Sequence, residues 1–288
     1  ATRAPEPAVS DEDFSFDTVL DAASEEDGDT AQTAKLTGYY ITTTMLASGV
    51  DQVRAALSQA DDYNAVMVDV KSIFGSFYYS TAISGAAKAT VLDIKQVDQL
   101  IAELAQQKGV TLIARVPAFS DPEYSLKHQS QALPLYNGAL WTDENNCYWM
   151  NPYSNDVQGY LTSIALELAN LGFDEVLFDD FYFPDSDRIS WTGSVTKQEA
   201  ILDAADNLSA NLLNQSIRLD LGTSDPEVAA YASRVFIATN NASQIDSDKE
   251  LLADAIPDPA AGIVYITDSR DTRFDACGAM RPLLDETE

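Results

Sequence analysis

The chain has 288 residues, enough for one large domain, and 45% of them are hydrophobic, so a sizeable core can form and a disordered chain is excluded. With 17 Lys+Arg against 46 Asp+Glu the net charge is −29, which repels nucleic acid and anionic lipid. No apolar run approaches the roughly 18 to 20 residues of a membrane span, so no segment reads as transmembrane.

Residues 1–35 are rich in Ala, Asp, Glu, Ser, Thr and Pro and carry only short apolar pairings such as Phe14-Ser15-Phe16. They read as an acidic flexible tether, and residues 36–288 as the folded domain. The sequence begins at Ala1 without an initiator methionine, as if a leader had been removed. The expectation is an exported protein, extracellular or at a bacterial cell surface, with a cleaved signal or lipid anchor upstream. The two cysteines, Cys147 and Cys277, match no metal-site spacing and are read either as a disulfide or as two buried thiols.

From residue 36 strand-like and helix-like segments alternate. Leu36–Thr44 reads as a first strand, and Ser48-Gly49-Val50-Asp51 as a capping box opening a helix. Asn64–Lys71 is a buried strand with Asp69 and Lys71 at its end. Asp93 caps a helix whose face is Val97, Leu100, Ile101 and Leu104 and which stops at Gly109. Val110–Phe119 is the third strand, with Arg115 embedded in it.

A connection from Ser120 to about Ser154 follows, carrying Tyr124, Tyr136, Trp141, Tyr148, Trp149 and Tyr153. Loops of that length are functional more often than not. Val157, Leu161, Ile164 and Leu168 line the next helix, which ends at Gly172.

The segment Gly172–Pro184 then runs from apolar residues into two adjacent carboxylates, Asp179 and Asp180, followed by aromatics and a proline. Thr196-Lys197-Gln198-Glu199 is a capping box. Further strands are Ser216–Gly222, Arg234–Thr239 and Gly262–Asp268. Seven strands interleaved with helices imply a mostly parallel sheet. No Gly-rich phosphate loop follows the first strand, so an α/β barrel of the (β/α)8 TIM type is favoured over an open nucleotide-binding sheet. With no eighth strand visible, three alternatives stay open: a barrel that is incomplete or irregular, one that is circularly offset, or one closed by a segment not recognised as a strand.

Ionisable residues cluster at one end of these strands: Asp69 and Lys71, Arg115, Asp179 and Asp180, Asp220, and Asp268. Buried unpaired charge is costly, so they are expected to meet at the barrel mouth, although any single Asp is as well explained by a cap or turn. Paired carboxylates with aromatic loops suit glycoside hydrolysis, with one carboxylate at the anomeric centre and another donating a proton. Trp141, Trp149, Tyr153 and Tyr182 offer flat faces for sugar C–H groups, or pack the loops. Arg115 and Lys71 either hold the nucleophile ionised or form structural ion pairs.

His128 is the single histidine, in a polar loop, which leaves a Ser-His-Asp triad or a zinc site without support. Asp179, Asp180, Asp185 and Asp187 lack the glycine and glutamate of an EF-hand loop, so no metal is expected. No cofactor is implied.

Asn64–Lys71, Ala114–Pro122, Ala139-Leu140-Trp141, Trp149–Tyr153 and Gly172–Pro184 together resemble the putative glycoside-hydrolase domain family of bacterial secreted and lipid-anchored proteins, a TIM-barrel group distantly similar to the α-amylase clan. The resemblance spans roughly residues 36–240. It implies that Asp69, Lys71, Arg115, Asp121, Trp149, Asn151, Asp174 and Asp179 occupy family positions. By the clan's pattern Asp179 would be the nucleophile and Asp220, on the fifth strand, the acid. The sequence departs from the family where Asp180 and Tyr182 replace a Tyr and an Arg, and where Asn240 and Asn241 follow Arg234–Thr239; Asp180 is the alternative acid/base to Asp220.

The expected catalytic residues are therefore Asp179, Asp220 and Asp180. The expected substrate-binding residues are Asp69, Lys71, Arg115, Trp141, Trp149, Asn151 and Tyr182. The expected partner is a carbohydrate. A non-catalytic carbohydrate-binding barrel of the cell envelope is the alternative, and a structural envelope protein a third. Sugar, linkage and oligomeric state stay open.

Overall fold

A computed structural model describes residues 34–284. Eight strands form a closed, all-parallel barrel: β1 (Thr37–Ile41), β2 (Ala65–Asp69), β3 (Thr111–Pro117), β4 (Glu175–Asp179), β5 (Arg218–Gly222), β6 (Arg234–Ala238), β7 (Ile263–Ile266) and β8 (Gly278–Pro282). Neighbours pair in chain order and β8 returns to β1, with Thr37 opposite Ala279 and Tyr39 opposite Arg281. This is the expected (β/α)8 TIM barrel, closed by a strand that the sequence pattern did not mark. Its last strand, Gly-Ala-Met-Arg-Pro, has no β-branched residue and takes its order from two neighbours.

The first strand is shorter than expected. It stops at Ile41, because the Thr42 hydroxyl accepts from Met45 N and opens helix α1 (Thr43–Ser48). Ser48 closes that helix, and its hydroxyl donates to the Thr44 carbonyl, so it is not the cap of helix α2 (Val50–Gln59). Gly49, with φ of 148°, joins the two helices in a conformation an L side chain resists.

Helix α3 (Ile94–Leu104) is capped by Asp93 and buries Val97, Leu100, Ile101 and Leu104. It ends at Leu104, five residues before Gly109. In the long β3 connection, α4 (Pro122–Lys127) and a 3-10 turn (Gln129–Gln131) are followed by isolated antiparallel bridges that tie the loop to itself. Helix α5 (Asn155–Asn170) buries Val157, Leu161, Ile164 and Leu168, and α6 (Lys197–Leu212) opens on the expected Thr196–Glu199 capping box.

Two apolar layers result. The outward strand residues Val66, Val68, Val116, Val176 and Phe178 pack against the helices, while Met67, Ile113, Leu177, Phe236, Val264 and Met280 fill the barrel interior. Ala34 and Lys35 belong to the barrel base, where the Ala34 carbonyl accepts from Arg234 Nη1. The rest of the expected tether lies outside the described residues. Cys147 and Cys277 are both buried and free. His128 is exposed, its ring 4.4 Å from that of Tyr124. No helix of the described residues is long and apolar enough to cross a membrane.

Candidate active site

Strand alternation decides which carboxylates reach the mouth. On β4, Glu175, Leu177 and Asp179 share one side, and the last of them emerges at the C-terminal rim. On β3, Arg115 lies beside Asp69 of β2. Its Nε donates to Asp179 Oδ2 at 2.8 Å, and its Nη1 lies 3.5 Å from Asp69 Oδ1. One guanidinium therefore bridges two carboxylates from neighbouring strands. Burial alone would lower the Arg115 pKa, but Asp69 and Asp179 outweigh it and hold the cation more firmly than usual.

Asp180 follows with φ of 53°, a left-handed conformation that few non-glycine residues adopt. Its backbone N–H donates to Asp179 Oδ1 at 2.9 Å. Both Asp179 oxygens are thus fixed, one by Arg115 and one by the next peptide. No side-chain hydrogen bond or ion pair holds the Asp180 carboxyl among the described residues. Desolvation, and then the charge of Asp179, push its pKa up to about 6, against a smaller opposing pull from Arg115. Two neighbouring acids are thereby set apart, one clamped by a cation and one close to neutral-pH titration.

Three clefts lie around this rim, two of them lined by both acids. One, of about 370 Å³, is bounded by Thr43, Phe74, Tyr78, Arg115, Asp179 and Asp180. A second, of about 400 Å³, lies between Tyr40, Asp69, Arg115, Asn240 and Asp268. A third, of about 390 Å³, is lined by Asp179, Asp180, Tyr182, Gly222 and Asp225. Phe74 and Tyr182 are exposed on opposite flanks, 58% and 47% accessible. Phe74 carries no sequence signal beyond being an aromatic beside a glycine.

Several expected site residues lie elsewhere. Asp220 is fully buried one inward-facing position below Gly222, about 6.6 Å down the strand, and is not at the mouth. It lies against Glu175, in a cluster completed by Arg218 and Arg234. Burial first, and then the Glu175 charge and a hydrogen bond to it, push Asp220 well above the usual carboxylate range. Burial also opposes ionisation of Glu175, but the hydrogen bond from Asp220 and the two arginines outweigh it and hold Glu175 low.

Facing Asp179 on β5 is Gly222, where a Cβ would come 2.3 Å from Asp179 Oδ1 and 2.8 Å from its Cα. Lys71 does not neutralise the mouth. Its ammonium lies 2.9 Å from Asp121 Oδ2 with both side chains buried, and Tyr160 donates to the same carboxylate at 3.0 Å.

The aromatics divide in the same way. Trp149, 3% exposed, donates from Nε1 to Asp143 Oδ2 at 2.9 Å and packs edge-on against Trp141, itself 8% exposed. These indoles form a floor, and Tyr182, 5.3 Å from Trp149, is the ring that reaches solvent. Asn151 accepts from Tyr153 N at 3.0 Å and so shapes its own turn. Asp174 accepts from Leu112 N, a backbone brace between β3 and β4.

The closed eight-stranded parallel barrel makes this a TIM-barrel protein, with an Arg-clamped Asp and a second acid at its C-terminal rim. A family model described as "putative glycosyl hydrolase domain" matches residues 38–232, and the chain belongs to that family. Among solved structures, a hypothetical protein from Ruminiclostridium thermocellum is 28% identical with a TM-score of 0.54, over 63% of this chain and 96% of that one. Aspergillus fumigatus Ega3, solved with galactosamine, is 12% identical with a TM-score of 0.52, over 87% of this chain and 93% of that one. The PgaB (BpsB) glycoside hydrolase domain of Bordetella bronchiseptica is 11% identical with a TM-score of 0.55, over 81% and 84% of the two chains. The last two likenesses are of fold. A comparison with curated proteins found no match.

Proposed function

We propose that the protein hydrolyses glycosidic bonds, with Asp179 as nucleophile and Asp180 as proton donor. The observation that carries this is the asymmetry of the pair: Asp179 is clamped by Arg115 at 2.8 Å, while the exposed Asp180 beside it has no such partner and its pKa is pushed up to about 6. Asp179 attacks the anomeric carbon as Asp180 protonates the departing glycosidic oxygen. Asp180 then takes a proton from the water that releases the glycosyl-enzyme. Sequence neighbours have Cα atoms about 3.8 Å apart. Both carboxyls line the same cleft, and the retaining mechanism requires them roughly 5 to 5.5 Å apart. Tyr182 and Phe74 offer flat faces to the sugar on either flank. Asp220, buried with Glu175, has no part in this scheme.

A second reading, a carbohydrate-binding barrel without catalysis, is favoured by one feature. The fifth strand presents Gly222, with no carboxylate, opposite Asp179. An exported or surface location is part of the proposal and rests on the acidic composition and the polar residues 1–35.

The test is turnover and binding of wild type, Asp179→Asn and Asp180→Asn on a glycan panel. Each variant is expected to lose about 10²- to 10⁴-fold in kcat. Because the acid must be protonated, wild-type kcat/KM should fall about tenfold per pH unit above about 6, a limb that Asp180→Asn abolishes. Unchanged turnover in Asp179→Asn would sink the nucleophile assignment, and wild-type binding without turnover would establish the second reading.

A further inference from the structure

The acid pair sits between two clefts, not at the bottom of one. In barrel order, the first cleft runs back from Asp179 and Asp180 of β4, past Arg115 of β3, to the segment after β2, where Phe74 and Thr44 are exposed. The second runs forward from the same two acids, past Gly222 of β5, to the end of β6, where Ala238, Ser224 and Tyr182 are exposed. The third cleft touches neither acid. Removing a terminal sugar requires a wall on one side of the bond, against which the chain end stops. Here both arms open at exposed side chains, so a glycan entering along one arm leaves along the other.

Each arm also carries one exposed aromatic ring on a braced support. Phe74 lies at the tip of a turn closed by Ser72 N–H, which donates to the Ser76 carbonyl at 2.9 Å, and by Gly75 N–H, which donates to the Ser72 carbonyl at 3.0 Å. The Ser120 hydroxyl, from the loop after β3, donates to the Ile73 carbonyl at 2.9 Å and ties that tip down. Tyr182 leans on Trp149, whose indole is held by Asp143 as described above. A large ring fixed in water forgoes the stabilisation that burial gives. Its fixed support leaves little conformational freedom to lose when a ligand covers it. The C–H face of a sugar covers such a ring while the hydroxyls stay in water.

We propose that the site takes the interior of a linear glycan, with sugar units on both sides of the acid pair, one seated by Phe74 and another by Tyr182. Cleavage is then internal to the chain and does not start from its ends. Each event breaks one glycosidic C–O bond, adds one water across it and leaves two shorter chains, the new hemiacetal on the fragment whose anomeric carbon met Asp179. The cleavage rests on the glycoside-hydrolase reading of the same mouth; the two-armed binding does not.

The experiment titrates linear gluco-, galacto- and hexosamine-type oligosaccharides, from dimer to octamer, into the protein by calorimetry, in an Asp179→Asn background so that the ligand survives. Affinity for at least one series is expected to rise about tenfold or more from dimer to octamer. On the octamer, Phe74→Ala and Tyr182→Ala should each weaken binding about three- to tenfold, and in the double variant the two losses should multiply. A dimer fills one arm, so at most one of the two substitutions should register on it. Phe74→Tyr and Tyr182→Phe keep the ring and should keep most of the affinity, at unchanged melting temperature. Affinity that stops growing at the dimer, an octamer indifferent to either ring, or no binding to any series overturns the proposal. Product analysis with the wild type, on the polymer of the bound series, separates the two levels. A fall in viscosity ahead of reducing-end release, with a ladder of oligomers, is expected. Release of one sugar size from a chain end defeats this proposal alone, and length-dependent binding that needs both rings but gives no cleavage defeats the hydrolase reading alone.

Discussion

Replacing Asp220 by Asn tests both the chemistry assigned to the mouth and the physics of the barrel base. Asp220 is completely buried, no donor from the protein reaches either of its oxygens, and its neighbour is the carboxyl of Glu175. Glu175 meanwhile accepts from Arg234 Nε at 3.1 Å and from Arg218. Both guanidiniums are directed at Glu175 and no donor reaches Asp220, so the buried Asp220 carboxyl is kept neutral, with its proton turned to Glu175. The substituted amide would supply an N–H in place of that O–H with almost the same shape.

The pH dependence follows from the direction of the shifts. Asp220 holds its proton when folded and releases it at about 3.9 when unfolded. Above that value the unfolded chain binds fewer protons than the folded one, so stability falls as pH rises, by about 1.4 kcal/mol per unit, until Asp220 itself ionises. Glu175 is shifted the other way, so its contribution is lost only as pH falls below the ordinary glutamate range. Wild type should therefore lose melting temperature from pH 5 upward, about 2 to 4 °C per kcal/mol for a domain this size. Asp220→Asn should remove the part of that slope not owed to Asp180, which acts in the same direction up to about pH 6, and should melt at or above wild type at pH 7 and keep its glycan turnover. Thermal unfolding at several pH values, with the activity assay alongside, measures all three. A variant less stable than wild type at pH 7, or one that folds and is inactive, would refute the shared proton or the exclusion of Asp220 from catalysis.

Two other substitutions probe neighbouring inferences. Gly222→Ala drives a methyl into Asp179, so it should lower kcat by tenfold or more and cost about 1 to 3 kcal/mol in denaturant unfolding; an active, fully stable variant would mean that Asp179 is not fixed there. Lys71→Met strands Asp121 in the interior and should cost about 3 to 5 kcal/mol, while KM measured on the folded fraction stays put.

Helices α2, α3, α5 and α6 and seven of the strands are legible in the sequence because apolar spacing and caps such as Asp93 and Thr196 are local signals. Two misreadings have local causes as well. The β-branched run Ile41–Thr44 looks like continuing strand, yet the Thr42 hydroxyl is a better cap than a ladder residue. β8 is held by its partners more than by its composition. At the site, Asp69, Arg115 and Asp179 are readable as strand-end charges, and the structure joins them. Depth is what the sequence does not carry. Asp220 and Asp179 both sit near the ends of strands, but the stagger of a tilted barrel puts one in the interior and the other at the rim. The left-handed turn at Asp180 has no local signature either, since Asp visits that region only as a minority conformation.

The seam between β1 and β8 has a consequence for how the barrel is made. Residue 37 finds its partner at residue 279, so as the polypeptide leaves the ribosome β1 acquires β2 on one side and keeps a bare backbone edge on the other until the final strand emerges. Contacts so distant along the chain form late and slowly. A ribosome stalled before residue 278 would release a seven-stranded crescent with two open edges, a template for strand addition from other molecules.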